Sequence, residues 1–214
     1  GLIRAIDCLD RVAGIEKTAV TIIRRVADPG DTHRGLVDLL LLEPIPNHQA
    51  VDLMNIMPHI EATGILVHTP VTHGHIITIL ATPKTAMTLE EVKDAFRAHP
   101  RIRLVKIEDG FNSNTAMFQY GRMLGNPRGD LYEIGIFEET IGFSGDDIMF
   151  AVNIPQESIV VPETMDAVRA AMRLQEDRLE AVDELSLGTE AKRHGLDRHF
   201  CSLRPQTPPL QVLS

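Results

Sequence analysis

Two histidines separated by one residue, His73 and His75, begin a strongly apolar segment that continues to Thr82. Alternate side chains of a β-strand point to the same face, so this spacing predicts both imidazole rings on one face of a buried strand. Two neighbouring imidazoles suit a general base with an orienting partner. The same pattern is typical of histidines satisfied within a core or an interface, and the local residues leave both interpretations open.

Two arginines supply a second candidate group. The segment 17–26 is rich in β-branched residues, which predicts a buried strand ending near Arg24 and Arg25. A turn-rich segment, 27–35, follows it. Paired guanidinium groups at such a position would form a fork for phosphate oxygens, whereas two solvated arginines at a sheet edge are an equally good interpretation.

The elements that position these groups begin with a helix over residues 2–13, which Gly14 would end as a C-cap. This helix has no start signal in the sequence, as if its N-terminal end had been cut. Its predicted buried stripe is Leu2, Ile6, Leu9 and Val12.

Two further helices have clear N-terminal signals. Asn47 is the predicted N-cap of a short helix that Pro58 closes, and Thr88 with Glu91 forms a capping box. The predicted inward residues of the first are Val51, Met54 and Ile56, and those of the second are Leu89, Val92, Ala95 and Phe96.

Later segments complete the fold prediction. The sequence predicts strands over residues 101–107, 132–137 and 148–154. It predicts a hairpin-type connection over 143–147, whereas residues 112–124 mix polar and helical signals. A long amphipathic helix over 162–185 follows, with a stripe predicted to pack against the sheet: Met165, Val168, Met172, Leu179 and Val182. This order predicts an α+β domain with a largely antiparallel sheet covered by helices on one face.

Composition excludes several classes of partner. The chain has 214 residues, with 21 basic and 30 acidic side chains and a net charge of −9. This charge argues against a general nucleic-acid or anionic-membrane partner, although a local pair of arginines can still bind a small anion. Cys8 and Cys201 are far apart, which predicts neither a metal site nor a disulfide scaffold and favours a cytoplasmic location. No apolar run approaches the roughly 18 residues of a membrane span.

Six segments, taken in order, closely resemble one family, the archaeal-type (type II) phosphorylating glyceraldehyde-3-phosphate dehydrogenases. The resemblance covers residues 1 to about 187, and its most distinctive stretch is QESIVVPE. The segments are IIRRVADPGD, PNHQAVDL, VTHGHIITI, RIRLVKIEDGFNSN, QYGRMLG and QESIVVPETMDAVRAAMRL.

The resemblance implies the catalytic domain of a two-domain enzyme whose N-terminal Rossmann domain binds the nucleotide. No GxGxxG follows an initial strand here, so we expect that Rossmann domain to be absent from this chain. The family's nucleophilic cysteine starts the motif CNTTGL, and this chain begins at its final Gly-Leu, which implies a nucleophile just before Gly1. Cys8 does not match it and is predicted to be a small buried core residue. The implied parts are a truncated helix over 1–14, a catalytic domain over 15–187 and a loose, Pro-rich tail over 188–214.

The resemblance also assigns roles to individual residues. His73 matches the catalytic histidine, and His75 matches the second histidine of the same strand, which would contribute to binding the substrate or its phosphate. Arg24 and Arg25 match the family's arginine pair and are the implied phosphate clamp, with His48 as a second contributor. Gln156 would lie near the carboxamide of the nicotinamide.

The implied enzyme oxidises a small phosphorylated aldehyde and transfers the acyl group to inorganic phosphate. It uses NAD or NADP, which this chain cannot distinguish, and it assembles as a homotetramer. The fragment itself would be inactive, because its thiol and its nucleotide domain are missing.

Two departures from the family pattern keep other interpretations open. Gln49 replaces the second histidine of the family's SHH segment, and Pro155 replaces the histidine of its HQES motif. These changes allow a related aldehyde dehydrogenase with another acyl substrate. A non-enzymatic oligomerisation or binding module built on the same fold is the remaining alternative.

Overall fold

The computed structural model describes residues 1–25, 40–126 and 128–172. The described residues contain five α-helices: α1 (Leu2–Ala13), α2 (His48–Ile56), α3 (Leu89–Arg97), α4 (Asn114–Met123) and α5 (Val160–Ala171). The strands in the same part of the chain are β1 (Ile15–Arg25), β2 (Leu41–Glu43), β3 (Glu61–Thr69), β4 (His75–Pro83), β5 (Ile102–Val105), β6 (Ile134–Phe137), β7 (Gly142–Ser144) and β8 (Asp147–Ile154). The segment 27–35 and the tail 188–214 lie outside the described residues.

The strands form one mixed sheet in the order β2-β3-β1-β4-β8-β6-β5, with β7 paired to β8. Two pairings are parallel, β1 with β3 and β5 with β6, and the others are antiparallel. The predicted α+β class with a largely antiparallel sheet is confirmed. The predicted hairpin-type connection is the turn between β7 and β8.

Helices α1, α2 and α3 cover one face of the sheet. On β3, side chains alternate between buried and exposed along the whole strand, which is the pattern of a sheet with one packed face. The other face leaves large apolar side chains exposed, among them Ile23, Ile65 and Met149. Helix α4 packs against one end of that second face, where Met117 meets Gly135 of β6.

The end signals of the helices are confirmed. Gly14 ends α1 with a φ of 66°, a left-handed conformation that favours glycine. The side chain of Asn47 accepts a hydrogen bond from the backbone of Ala50, and the capping box of Thr88 and Glu91 starts α3. These signals act within a few residues, so a sequence can reveal them directly.

The predicted burial of several helical side chains is wrong. Val12 on α1, Leu89 on α3 and Val51 and Ile56 on α2 are exposed, and the buried residues of α2 are Ala50 and Leu53. The face that a helix buries depends on partners far away in the sequence. Cys8, in contrast, is buried as predicted.

The stripe of α5 does not pack against the sheet. Met165, Val168 and Met172 are about half exposed or more, and Leu179 and Val182 lie outside the described residues. Ion pairs hold this helix instead. Its Glu163 binds Arg4, and its Asp166 lies 2.7 Å from a guanidinium nitrogen of Arg101.

Within the described residues, no helix has the length and apolar character needed to cross a membrane.

Candidate functional site

The candidate residues meet where three neighbouring strands end or begin. Arg24, near the end of β1, pairs in register with His68 of β3 on one side and with His75 of β4 on the other. Residues paired in this way share a face of the sheet, with Cβ atoms about 5 Å apart. Here that face is the one covered by α1, α2 and α3, because Val20 and Ile22 precede Arg24 on it and are buried.

His75 is buried and held by the backbone. Its Nδ1 accepts a hydrogen bond from the backbone N–H of Arg25 at 3.3 Å. A neutral imidazole that accepts at Nδ1 carries its proton on Nε2. His75 is therefore set up to donate a hydrogen bond from Nε2 rather than to accept a proton there.

His73 lies outside the strand, in the turn that precedes β4, so the prediction that both rings share one face of a strand is wrong. The reason is Gly74, which has a φ of 63° and breaks the alternation between the two histidines. The ring of His73 packs against Phe118 of α4, with 4.2 Å between the ring centroids. Its Nδ1 is 2.7 Å from the hydroxyl of Thr72, and its carbonyl accepts a hydrogen bond from Asn114.

A small pocket of about 20 Å³ opens beside the ring of His73. Asn114 and Phe118 of α4 line one side, and Asn153 with Glu157 lines another. The Oδ1 atom of Asn153 is buried and has no hydrogen-bond partner within the described residues. The cavity therefore combines an imidazole, an aromatic face and an unsatisfied acceptor.

Arg25 is tied to the turn that follows β8. Its Nη1 donates to Glu157 at 2.5 Å and to the carbonyl of Thr72 at 3.3 Å. The same carboxylate accepts from the backbone N–H of Gly74 at 3.3 Å. Glu157 thus links the end of β1 to the histidine turn.

Arg24 lies near a different carboxylate, Glu43 at the end of β2. Glu43 accepts a hydrogen bond from Nε2 of His68 at 2.6 Å, and its second oxygen is 3.7 Å from Nδ1 of His48. That hydrogen bond, together with the charges of His68, His48 and Arg24, holds the pKa of Glu43 below its ordinary value. The two arginines are therefore associated with separate carboxylates.

Sequence reasoning missed both Glu43 and His68. The signal for His68 is its position: it follows Ala62, Gly64 and Leu66 at alternate positions of β3, so it belongs to the buried face. A buried imidazole needs a polar partner. That partner comes from β2, which no local pattern pairs with β3.

Gln156 lies in the turn after β8, between Pro155 and Glu157, which both line the cavity. Its Oε1 is buried and has no hydrogen-bond partner among the described residues. A buried, unsatisfied acceptor can take a hydrogen bond from a primary amide. This chemistry fits the carboxamide of a nicotinamide, so the residue present is compatible with that cofactor.

The start of α1 lies close to the histidine turn. A Cβ atom on Gly1 would touch the side chain of Ile154, and one on Gly74 would lie 3.0 Å from the carbonyl oxygen of the same residue. Ile154 also pairs in register with His75. The first turn of α1, Gly74 and His75 therefore lie around one residue at the end of β8.

Sequence comparison now adds to this geometry. The family described as "Glyceraldehyde 3-phosphate dehydrogenase, C-terminal domain" matches residues 1–115, which is more than half of the chain. The chain belongs to this family. It corresponds to the C-terminal portion of the archaeal-type enzymes, as the sequence motifs indicated.

Curated relatives from methanogenic archaea support the same assignment. The chain is similar to "Glyceraldehyde-3-phosphate dehydrogenase 2" of Methanosarcina barkeri, with 35% identity over 185 residues, 86% of this chain and 54% of the relative. It is 36% identical over 186 residues to the enzyme of Methanosarcina mazei and 31% identical over 190 residues to that of Methanocaldococcus jannaschii, again covering 86% of this chain and 55% of each relative. The chain thus spans about half the length of these dehydrogenases.

Proposed function

We propose that this chain is the catalytic-domain portion of an NAD(P)-dependent, phosphorylating glyceraldehyde-3-phosphate dehydrogenase. The supporting observation is the meeting of His75 with Arg24 and Arg25 near the first turn of α1, where Arg25 also contacts the turn that carries His73 through Thr72 and Glu157. In the proposed reaction, a thiolate from a cysteine upstream of Gly1 attacks the aldehyde. A bound nicotinamide would supply the hydride acceptor for this oxidation, with Gln156 holding its carboxamide, and inorganic phosphate would cleave the resulting cysteine thioester.

His73 is the proposed general base and His75 the proposed hydrogen-bond donor. The hydroxyl of Thr72 can accept a hydrogen bond from the Nδ1–H group of His73, which would leave Nε2 able to take a proton from the reacting hydroxyl. His75 cannot do this in its neutral form, because the backbone of Arg25 occupies Nδ1 and the ring proton is then on Nε2. Such a donor stabilises a thiolate or a developing oxyanion.

Arg24, Arg25 and His48 are the proposed anion-binding residues. The reaction needs two phosphate groups, one on the substrate and one entering. Neighbouring strand residues point to opposite faces, so Arg24 and Arg25 leave β1 in different directions. Two separate guanidinium groups support two separate anion positions better than a single fork.

Gln156 is the proposed contact to the nicotinamide carboxamide, for which its unsatisfied Oε1 is the supporting observation. A nicotinamide, when bound, supplies the hydride acceptor. The residues of this chain would orient its amide and exclude water, while the nucleotide portion would bind the proposed N-terminal nucleotide domain of the complete protein.

The open face of the sheet is the proposed contact between copies of the chain in a homotetramer. Ile23, Ile65 and Met149 are exposed there on three different strands of one sheet. Apolar surface of this kind is stabilised by burial against a second copy. Sedimentation of the complete protein tests this proposal, since a strictly monomeric species at micromolar concentration contradicts it.

A related aldehyde dehydrogenase with another substrate is the second candidate. The observation that favours it is the buried Oε1 of Gln49, which has no hydrogen-bond partner within the described residues and replaces a family histidine. An unsatisfied amide beside the anion site suits a substrate hydroxyl.

One experiment tests the main proposal. The complete protein, with its upstream cysteine and nucleotide domain, should oxidise glyceraldehyde 3-phosphate in the presence of NAD(P) and phosphate, and the 214-residue chain should not. Assays with unphosphorylated aldehydes decide between the two candidates. Turnover by the isolated chain, or none by the complete protein with any aldehyde, contradicts the proposal.

A further inference from the structure

Glu43 occupies the middle of a basic cluster, which we define as Arg24, His48 and His68. The cluster combines residues from three elements, since Arg24 comes from β1, His68 from β3 and His48 from α2. Glu43 itself ends β2. Its carboxylate bridges two imidazoles, with 2.6 Å to His68 and 3.7 Å to His48.

The cluster is built into the fold. The side chain of His68 is only 2% exposed, and its Nδ1 is buried without a hydrogen-bond partner among the described residues. Glu43 is about a third exposed and His48 about half exposed, so the cluster opens to solvent on the side of α2. A small ligand can therefore reach the carboxylate and the outer imidazole.

Glu43 carries its negative charge among groups that are, or can become, positive. Arg24 is close enough to lower the pKa of this carboxyl, and His68 and His48 flank it. Further along the same site, Arg25 is paired with Glu157 at 2.5 Å. Within the described residues, His75 pairs in register with Arg24 on the side away from His68.

We propose that Glu43 is the built-in counter-anion of this site, so that a doubly charged anion binds Arg24 and His48 in competition with Glu43 and takes up a proton as it binds. This inference rests on the proposed function, which makes Arg24 and His48 anion-binding residues. The ligand class is a phosphate or phosphate-like dianion.

The proton goes to an imidazole of the cluster. Imidazole is the side chain that gains a proton between about pH 5 and 8. A bound dianion would add negative charge beside His68 and His48 and so favour the protonated form of one of these imidazoles. The pKa of Glu43 is already below its ordinary value, so the carboxylate stays charged throughout this range.

Sulfate is the probe that tests this inference, because it does not titrate in the same pH range as phosphate. Calorimetry of sulfate binding to the 214-residue chain should show an association constant that rises as the pH falls from 8 to 6, by up to about tenfold per pH unit for one linked proton. Repeating the titration in buffers of different ionisation enthalpy should show uptake of about one proton per sulfate at pH 7.

Substitution of Glu43 should change the sulfate affinity in the direction opposite to that expected if Glu43 had only a structural role. Glu43→Gln should bind sulfate several-fold more tightly at pH 8, because the competing charge is gone. If Glu43 only held the cluster in shape, the same substitution would weaken binding. Glu16→Gln, at the exposed start of β1 and far along the strand from Arg24, removes an equal charge outside the cluster and should leave sulfate binding unchanged.

Arg24→Gln locates the site and should abolish the pH-linked binding. Sulfate affinity that is independent of pH in the unsubstituted chain overturns the inference, whatever the variants do. So does weaker sulfate binding by Glu43→Gln. Either result leaves the dehydrogenase proposal intact, since that proposal is tested by turnover of the complete protein.

Discussion

Gly74 separates the two histidines, and replacing it with alanine should cost more than backbone strain. Its φ of 63° is the left-handed region, where a side chain costs about 1–2 kcal/mol. A Cβ atom would also lie 3.0 Å from the carbonyl oxygen of Ile154, so that the turn must shift by a few tenths of an ångström. Crowding of this kind adds about 1–3 kcal/mol.

Gly145 provides a matched control in the turn between β7 and β8. Its φ is 66°, and a Cβ atom there would meet nothing within 4 Å. Gly145→Ala should therefore show the backbone cost alone, about 1–2 kcal/mol. For a domain of this size each kcal/mol lowers Tm by about 2–4 °C.

The assay is chemical denaturation of both variants, followed by steady-state kinetics of the complete protein. Gly74→Ala should lose about 1–3 kcal/mol more stability than Gly145→Ala. It should also lower kcat about tenfold, because small displacements of reacting groups cost large factors in rate. Gly145→Ala should leave kcat unchanged. Equal losses of stability, or an unchanged kcat for Gly74→Ala, would refute the reasoning.

Three further predictions concern stability. Thr88→Ala removes the N-cap of α3 and should lower the free energy of unfolding, measured by urea denaturation, by about 1 kcal/mol. An unchanged free energy of unfolding would show that the capping box does not stabilise the protein. Arg4→Met should lower the free energy of unfolding by about 2–4 kcal/mol, because this buried guanidinium donates to two backbone carbonyls and pairs with a carboxylate of α5. The control is Arg11→Met on the exposed side of α1, which should cost under about 0.5 kcal/mol. The pKa of Glu43 is depressed mainly by its hydrogen bond to His68, so its contribution to stability is present above the ordinary carboxyl pKa of about 4.3 and is lost as the pH falls below it. Glu43→Gln should therefore lose less stability than the unsubstituted chain between pH 5 and 3, and parallel acid-unfolding curves would contradict this.

Features set by neighbouring residues could be predicted from the sequence. The N-caps of α2 and α3 and the glycine that ends α1 depend on hydrogen bonds that span only a few residues. The histidine pair, the arginine pair and their approximate strands were also visible, since their residue types and spacing are local.

Features set by distant pairing could not be predicted. Glu43 meets His68 because β2 and β3 pair across 25 residues of chain, and nothing in either segment indicates that partner. The apolar pattern predicted a strand that includes His73, but the positive φ of Gly74 places His73 in the turn before β4. The exposed stripe of α5 has the same origin, because ion pairs to Arg4 and Arg101 replaced the expected packing.

The central claim is the division of roles between the two histidines, and their asparagine variants in the complete protein test it most directly. The account predicts that His73→Asn lowers kcat by about 10²–10⁴, the range expected for loss of a general base. His75→Asn should lower kcat less and should retain the pH dependence of the base. A fully active His73→Asn variant, or a larger loss for His75→Asn than for His73→Asn, would contradict the assignment.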